Sequence, residues 1–292
     1  MSSLRHRLMT AWVRLRRYPP QMRADMRAGV TNADGVPRKL ADRFERFEHE
    51  GRPVYVARPR APTSTLSGAP CVLHFHGGGF VYALNAMHYA AAARLADAAG
   101  AEVWLPEYPL PPDRDGDAAG GAAWADGLVD KALADGPLVL SGDSAGGALA
   151  LGAAQRLAAA GRAGPERLLL LSPWTDLSMT NPALTAADET EPLIGLDVLA
   201  AAGRHYAGGR DVRDPLVSPL YGDMTGLPPT AIHAGGRDLL YPDIVRLADA
   251  MRAAGVDAAL TAHPDLGHYW MFYPVPEARR TWDAVAAWVR GA

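Results

Sequence analysis

A chain of 292 residues, 49% hydrophobic and 21% charged, has the balance of one large globular domain with room for a small lid, not of several independent enzymes. A net charge of -3 argues against a dedicated nucleic-acid binder, and no run of about 18 uncharged apolar residues is present to span a bilayer. The single cysteine, Cys71, excludes an intrachain disulfide and fits a reducing cytoplasm. Opening the apolar run Cys71-Val72-Leu73, it reads as a small core residue without the cationic neighbours that would activate a thiol.

The charge is unevenly spread. Residues 1–60 hold 14 Lys/Arg against 6 Asp/Glu, which leaves the remainder of the chain acidic. Leu4, Leu8, Trp12 and Leu15 recur there at helical spacing, with Arg5, Arg7, Arg14, Arg16 and Arg17 filling other positions. Such a segment serves either as a basic arm on a membrane surface or as an amphipathic cap helix; residues 1–40 are read as the latter, an N-terminal cap segment. No apolar leader core follows these charges, so a cytoplasmic location is expected.

Downstream, strands are expected at 43–49 and 53–58 around a turn at Gly51, then at 71–75, 102–105, 138–140, 167–171, 230–234 and 258–262. Helices are expected at 86–99, stopped by Gly100, and at 118–134, 148–160, 243–254 and 277–290. This alternation implies an α/β fold with a mostly parallel sheet covered by helices on both faces. The irregular stretch 177–211 is too long for a simple connection and reads as a cap insertion, dividing the main domain into 41–176 and 212–292.

Two glycine-rich segments carry the chemistry. Gly142-Asp143-Ser144-Ala145-Gly146 lies between an apolar strand and a helix, where a nucleophile needs a turn so tight that the residues two before and two after it must be small. Ser144 would then face the positive end of a helix, which favours developing negative charge. Upstream, His76-Gly77-Gly78-Gly79-Phe80 directly follows a strand. Three consecutive glycines allow backbone N–H groups to converge, and two of them with the N–H of Ala145 could hold an oxyanion. The phosphate-binding alternative for a triple glycine lacks any accompanying G-K-[ST] or G-x-G-x-x-G pattern.

These residues resemble the hormone-sensitive-lipase-like branch of the α/β-hydrolases, a group of carboxylesterases. The likeness runs from about Pro53 to the C-terminus and rests on His76–Phe80, Gly142–Gly147, Ser172-Pro173-Trp174, Asp214–Leu220, Gly236–Asp243 and Gly267-His268. The resemblance implies an α/β-hydrolase fold with a small helical cap. It also implies that Gly78 and Gly79 supply the loop's oxyanion donors, while His76 and Gly77 shape the loop. The chain departs from the family at Glu107-Tyr108-Pro109-Leu110-Pro111-Pro112-Asp113, where members usually read Asp-Tyr-Arg-Leu-Ala-Pro-Glu.

In this fold the acid and the histidine follow the serine in chain order, each after a later strand. Strand 230–234 leads to Asp238, the expected acid; Asp243 is the alternative, but it suits the cap of the helix that begins there. Of the nine histidines only His263 and His268 lie beyond Asp238, and His268, after Gly267, matches the family position. Phe80, Tyr82, Trp174, Tyr206, Tyr269 and Trp270 are the aromatic candidates for pocket walls. H-E-x-x-H and paired Cys/His spacings are absent, so neither a metal nor another cofactor is expected. The expected function is hydrolysis of short- to medium-chain carboxylic esters through an acyl-enzyme on Ser144. The expected partners are a small-molecule ester and a second copy of the chain as a homodimer. An amidase or deacylase with the same residues, and a non-catalytic ligand receptor on this fold, are the competing readings.

Overall fold

The computed structural model describes residues 2–16, 21, 24–25, 35–60 and 70–291. Its strands are β1 (Phe44–His49), β2 (Arg52–Ala57), β3 (Cys71–Phe75), β4 (Val103–Pro106), β5 (Leu138–Asp143), β6 (Arg167–Leu171), β7 (Thr230–Gly235) and β8 (Ala258–His263). Its helices are α1 (Leu4–Arg16), α2 (Ala86–Ala99), α3 (Ala118–Asp135), α4 (Ala145–Ala159), α5 (Leu184–Asp188), α6 (Leu196–Tyr206), α7 (Tyr241–Ala253) and α8 (Pro276–Val289). The strands form one eight-stranded sheet in the order β1-β2-β4-β3-β5-β6-β7-β8. β2 runs antiparallel to both of its neighbours, and every later pair is parallel. This is the mostly parallel, helix-covered α/β sheet that the alternation of elements implies, in the arrangement that the family resemblance implies.

The continuous apolar runs of the central strands resolve into two faces because successive side chains point to opposite sides of a sheet. Leu138, Leu140, Leu168, Leu170 and Ile232 enter one core with Leu128 of α3, Ala150 of α4 and Leu247 of α7. Val139, Leu169, Leu171 and Val72 enter the other with Leu95 of α2 and Trp282 and Val285 of α8. Helix ends follow local chemistry. The Asn85 side chain accepts the Met87 N–H at the start of α2, Asp117 accepts the N–H groups of Ala119 and Gly120 at the start of α3, and Gly100 closes α2 in the left-handed region.

Three expectations need correction. The helix expected from residue 148 begins at Ala145, because β5 runs to Asp143 and Ser144 alone makes the turn. The stretch 177–211 contains the short helices α5 and α6. Cys71 is half-buried at the start of its strand, although burial and then Glu102 still push its thiol well above the ordinary range, as an unreactive thiol requires.

Helix α1 forms as expected, but with its inner face polar. The Ser3 N–H and hydroxyl donate to the Glu277 carboxylate of α8 at 2.5 and 2.8 Å, and His6 is buried on the same side. Leu4, Leu8 and Trp12 are exposed, so this apolar stripe is not the packing face of a cap. Leu15, Arg14, Arg16 and Arg17 carry expectations whose side chains lie outside the described residues.

Leu170 is fully buried in the centre of the sheet. Leu170→Ala is expected to lower unfolding stability by about 2–5 kcal/mol, read from urea denaturation, with the slope of the transition unchanged.

Candidate active site

Parallel strands deliver their carboxyl ends to one edge of the sheet, and the four expected site segments all leave from there. The triple-glycine loop follows β3, Ser144 follows β5, Asp238 follows β7 and His268 follows β8. Hydrogen bonds then lock the segments together. The Gly236 N–H donates to the His263 carbonyl at 2.8 Å and the Arg237 N–H to the Leu266 carbonyl at 2.9 Å, which fixes the Asp238 loop against the His268 loop.

Ser144 adopts φ 48° and ψ −119°, a conformation that costs about 1–3 kcal/mol for a residue with a Cβ. The turn is feasible only because its flanks are glycine. A Cβ on Gly142 would collide with the Gly146 backbone, and one on Gly146 with the Phe75 carbonyl. The Ser144 N–H donates to the Leu171 carbonyl at 3.0 Å, and the Ser144 carbonyl accepts the N–H groups of Gly147 and Trp174 at 3.0 and 2.8 Å. Trp174 therefore holds the turn from behind through its backbone, which gives Ser172-Pro173-Trp174 a physical role beside the serine.

The hydroxyl of Ser144, a residue 5% exposed, lies 3.1 Å from His268 Nε2, and His268 Nδ1 lies 2.8 Å from Asp238 Oδ2. The carboxylate can only accept, so Nδ1 carries a proton and donates it there, leaving Nε2 to accept from the serine hydroxyl. Asp238 Oδ1 is engaged by the Leu240 N–H at 2.9 Å, so both carboxylate oxygens are held. Burial disfavours the His268 imidazolium, but the adjacent Asp238 and then Glu191 outweigh it and raise the proton affinity above the ordinary imidazole value.

The alternatives lie apart from this chain of contacts. Asp243 sits in the first turn of α7 and accepts from Asn181 and from Arg246, each at 2.7 Å. The His263 ring packs against His233 and Trp270. Trp270 itself is fully buried and donates its indole N–H to Thr281 at 3.2 Å, a core role.

The oxyanion-loop candidates are bound to the serine turn by a carboxylate that the pentapeptide pattern leaves unspecified. Asp143 Oδ1 accepts the Gly77 N–H at 2.9 Å and faces His74 Nε2 at 3.0 Å, while His74 Nδ1 meets the Ser141 hydroxyl at 2.9 Å. Burial pushes the Asp143 carboxyl up, but the His74 hydrogen bond and the nearby His88 and His76 rings outweigh it, so it stays ionised below the ordinary range. Burial pushes His76 down to about 3 and His88 down to about 4, so both rings are neutral at physiological pH. His76 Nδ1 donates to the Gly77 carbonyl at 2.6 Å, its ring stacks on Tyr108, and the Tyr108 hydroxyl donates to the His76 carbonyl at 2.7 Å. With the Gly77 N–H turned onto Asp143, the N–H groups of Gly78, Gly79 and Ala145 have no protein acceptor among the described residues.

Of the expected aromatic walls, Phe80 and Tyr206 stack face to face at 3.6 Å, with Trp174 at 6.0 Å from Phe80; all three are buried. Tyr269 lies 4.8 Å from the His268 ring. Tyr82 is half-buried, and its hydroxyl donates to Asp25 at 2.6 Å, which brings part of the N-terminal segment over the loop that follows the glycines.

Glu191, from the 177–211 insertion, went unnoticed in the sequence because nothing in Thr190-Glu191-Pro192 signals a site. Its buried carboxylate accepts the backbone N–H of His268 at 2.9 Å and that of Leu193 at 2.8 Å. Burial, and then the charge of Asp238, raise the Glu191 carboxyl well above the ordinary carboxylate range despite His268 and these two donors. A folded-state value above the unfolded one gives stability that is fully present below the unfolded value and is lost as pH rises toward neutrality. Urea midpoints measured at pH 5 and pH 8 are therefore expected to fall less with rising pH in Glu191→Gln than in the parent. A second test concerns the turn: Gly146→Ala should cost more stability than Gly164→Ala, whose Cβ would meet nothing within 4 Å.

Comparisons with known proteins agree with this fold. A family model described as alpha/beta hydrolase fold matches residues 72–272. An acetyl-hydrolase of Streptomyces hygroscopicus is 36% identical over 225 residues, covering 76% of this chain and 75% of that protein. An esterase of Acinetobacter venetianus is 28% identical over 243 residues, 80% of each chain. Among solved structures, an esterase from the bacterial hormone-sensitive lipase family superposes with a TM-score of 0.79 at 28% identity, over 100% of this chain and 99% of that one. The chain thus belongs to the α/β-hydrolase family, in its hormone-sensitive-lipase-like branch of carboxylic ester hydrolases.

Proposed function

We propose that the protein hydrolyses short- to medium-chain carboxylic esters, with Ser144 as nucleophile, His268 as general base and acid, and Asp238 as the carboxylate that orients it. The observation that carries this reading is the buried relay from the Ser144 hydroxyl through both nitrogens of His268 to Asp238, at 3.1 and 2.8 Å. The serine oxygen bonds to the ester carbonyl carbon as its proton passes to His268 Nε2, and the carbonyl electron pair moves onto oxygen. The N–H groups of Gly78, Gly79 and Ala145, free of protein acceptors among the described residues, receive that oxyanion. Collapse breaks the ester C–O bond, and the leaving alcohol takes the proton from His268. Water then attacks the acyl-enzyme, losing its proton to the same nitrogen.

The insertion 177–211 and the N-terminal segment around Asp25 act as a cap over this site. Supporting this are the Glu191 contact with the His268 backbone and the Asp25 contact with Tyr82. Phe80, Tyr82, Trp174, Tyr206 and Tyr269 form the aromatic surroundings of the substrate. A serine only 5% exposed suits small acyl groups, as does the close stacking of the pocket candidates Phe80 and Tyr206. Among the described residues no helix is long and apolar enough to cross a membrane, and a cytoplasmic location completes the proposal.

Ser144→Ala is expected to lower kcat for p-nitrophenyl butyrate by about 10^3-fold or more, with KM little changed. Acetate and butyrate esters should exceed the octanoate in kcat/KM. Turnover of a matched anilide at the ester rate would replace the esterase reading by an amidase. The acid limb of kcat/KM should have its midpoint above the ordinary imidazole value, because His268 must lose a proton that Asp238 helps to hold. Asp238→Asn removes that support and should move the midpoint down while lowering kcat by about 10^2–10^4-fold.

A further inference from the structure

The two faces of helix α1 have different partners. On the inner face, Ser3 is bonded to Glu277, and the His6 N–H donates to the Ser3 hydroxyl at 3.2 Å. His6 is buried where Glu277, Arg237 and Asp265 act on it, and the Ser2 N–H donates to Asp265. Arg237 immediately precedes Asp238, and Asp265 lies three residues before His268. The start of α1 is therefore pinned against the two loops that carry the acid and the base.

The outer face is apolar. Leu4 is 63% exposed, Leu8 62% and Trp12 44%; a four-residue spacing aligns all three along one stripe. Among the described residues only Met87 and Tyr221 are also large, hydrophobic and exposed, so the stripe holds most of that surface. At 100° per residue, the exposed Arg5 and Arg7 fall on opposite flanks of it. An apolar stripe bordered by arginines matches the boundary between lipid headgroups and acyl chains.

We propose that α1 is an interfacial helix that docks the protein on an anionic lipid surface, with Leu4, Leu8 and Trp12 seated among the acyl chains and Arg5 and Arg7 on headgroup phosphates. Charge selects this occupant over a second copy of the chain. Apposing two α1 helices would set arginines against arginines, whereas anionic lipid neutralises them. The loops of Asp238 and His268, pinned to α1, would then lie close to the lipid, so that esters could reach the site from the membrane phase. The docking does not depend on the proposed catalytic roles.

The test is cosedimentation of the full chain with phosphatidylglycerol/phosphatidylcholine vesicles and with pure phosphatidylcholine vesicles at low and high salt. Binding is expected to the anionic vesicles, weakening with salt, and to fall about tenfold or more in Leu4→Glu/Leu8→Glu and in Arg5→Glu/Arg7→Glu. Turnover of soluble p-nitrophenyl acetate should be unchanged in both variants, which separates lost docking from lost folding. No binding of the parent protein to anionic vesicles, or equal binding by the variants, overturns the proposal. So does a dimer in light scattering that Leu8→Glu dissociates while vesicles stay unbound, since the stripe would then be a subunit interface.

Discussion

The Asp143 carboxylate joins the two motifs on which the site depends. It is buried, it flanks the serine, and through Gly77 and His74 it holds the end of β3 to the end of β5. The Gly77 N–H is spent on this carboxylate, whereas the N–H groups of Gly78 and Gly79 have no protein acceptor among the described residues. The neutral state of His76 and His88 follows from the same burial. Two neutral imidazoles beside one carboxylate make a polar support that neither gains nor loses a proton over the working range of pH.

Local strain is compensated by regular structure. The left-handed Ser144 backbone is feasible because β5, β6 and α4 supply fixed acceptors and donors around it, and because Gly142 and Gly146 remove the atoms that would collide. The same arrangement aims the serine oxygen at His268 instead of letting it cap α4, the ordinary role of a serine in that position. Packing of two apolar faces against the sheet thus sets the separation between the strand ends, and with it the hydrogen-bond lengths of the relay.

Much of this was legible in the sequence where it rests on short-range rules. Short apolar runs and the turn at Gly51 located the strands, and β3 and β6 match the expected ranges end for end. Ser144 and Asp238 were readable from chain order and glycine context, and His268 was preferred to His263 through the family resemblance; the structure places both Ser144 and Asp238 within hydrogen-bond reach of His268. Glu191 and Tyr108 were not readable, since their partners are backbone atoms far away in the chain. The orientation of α1 escaped for a related reason. Periodicity reveals that a helix has an apolar side but not what that side meets, and here Ser3 and His6 decide the inward face.

The contact between Glu191 and the His268 backbone has a meaning for how such a protein can diversify. A cap is commonly treated as an exchangeable module that varies while the chemistry beneath stays constant. Here the insertion lends a carboxylate to the loop of the histidine, so exchanging this segment would change the charge around that loop as well as its shape. A replacement segment without an acid at that spot would leave the His268 N–H without this acceptor and the imidazole without this neighbouring charge.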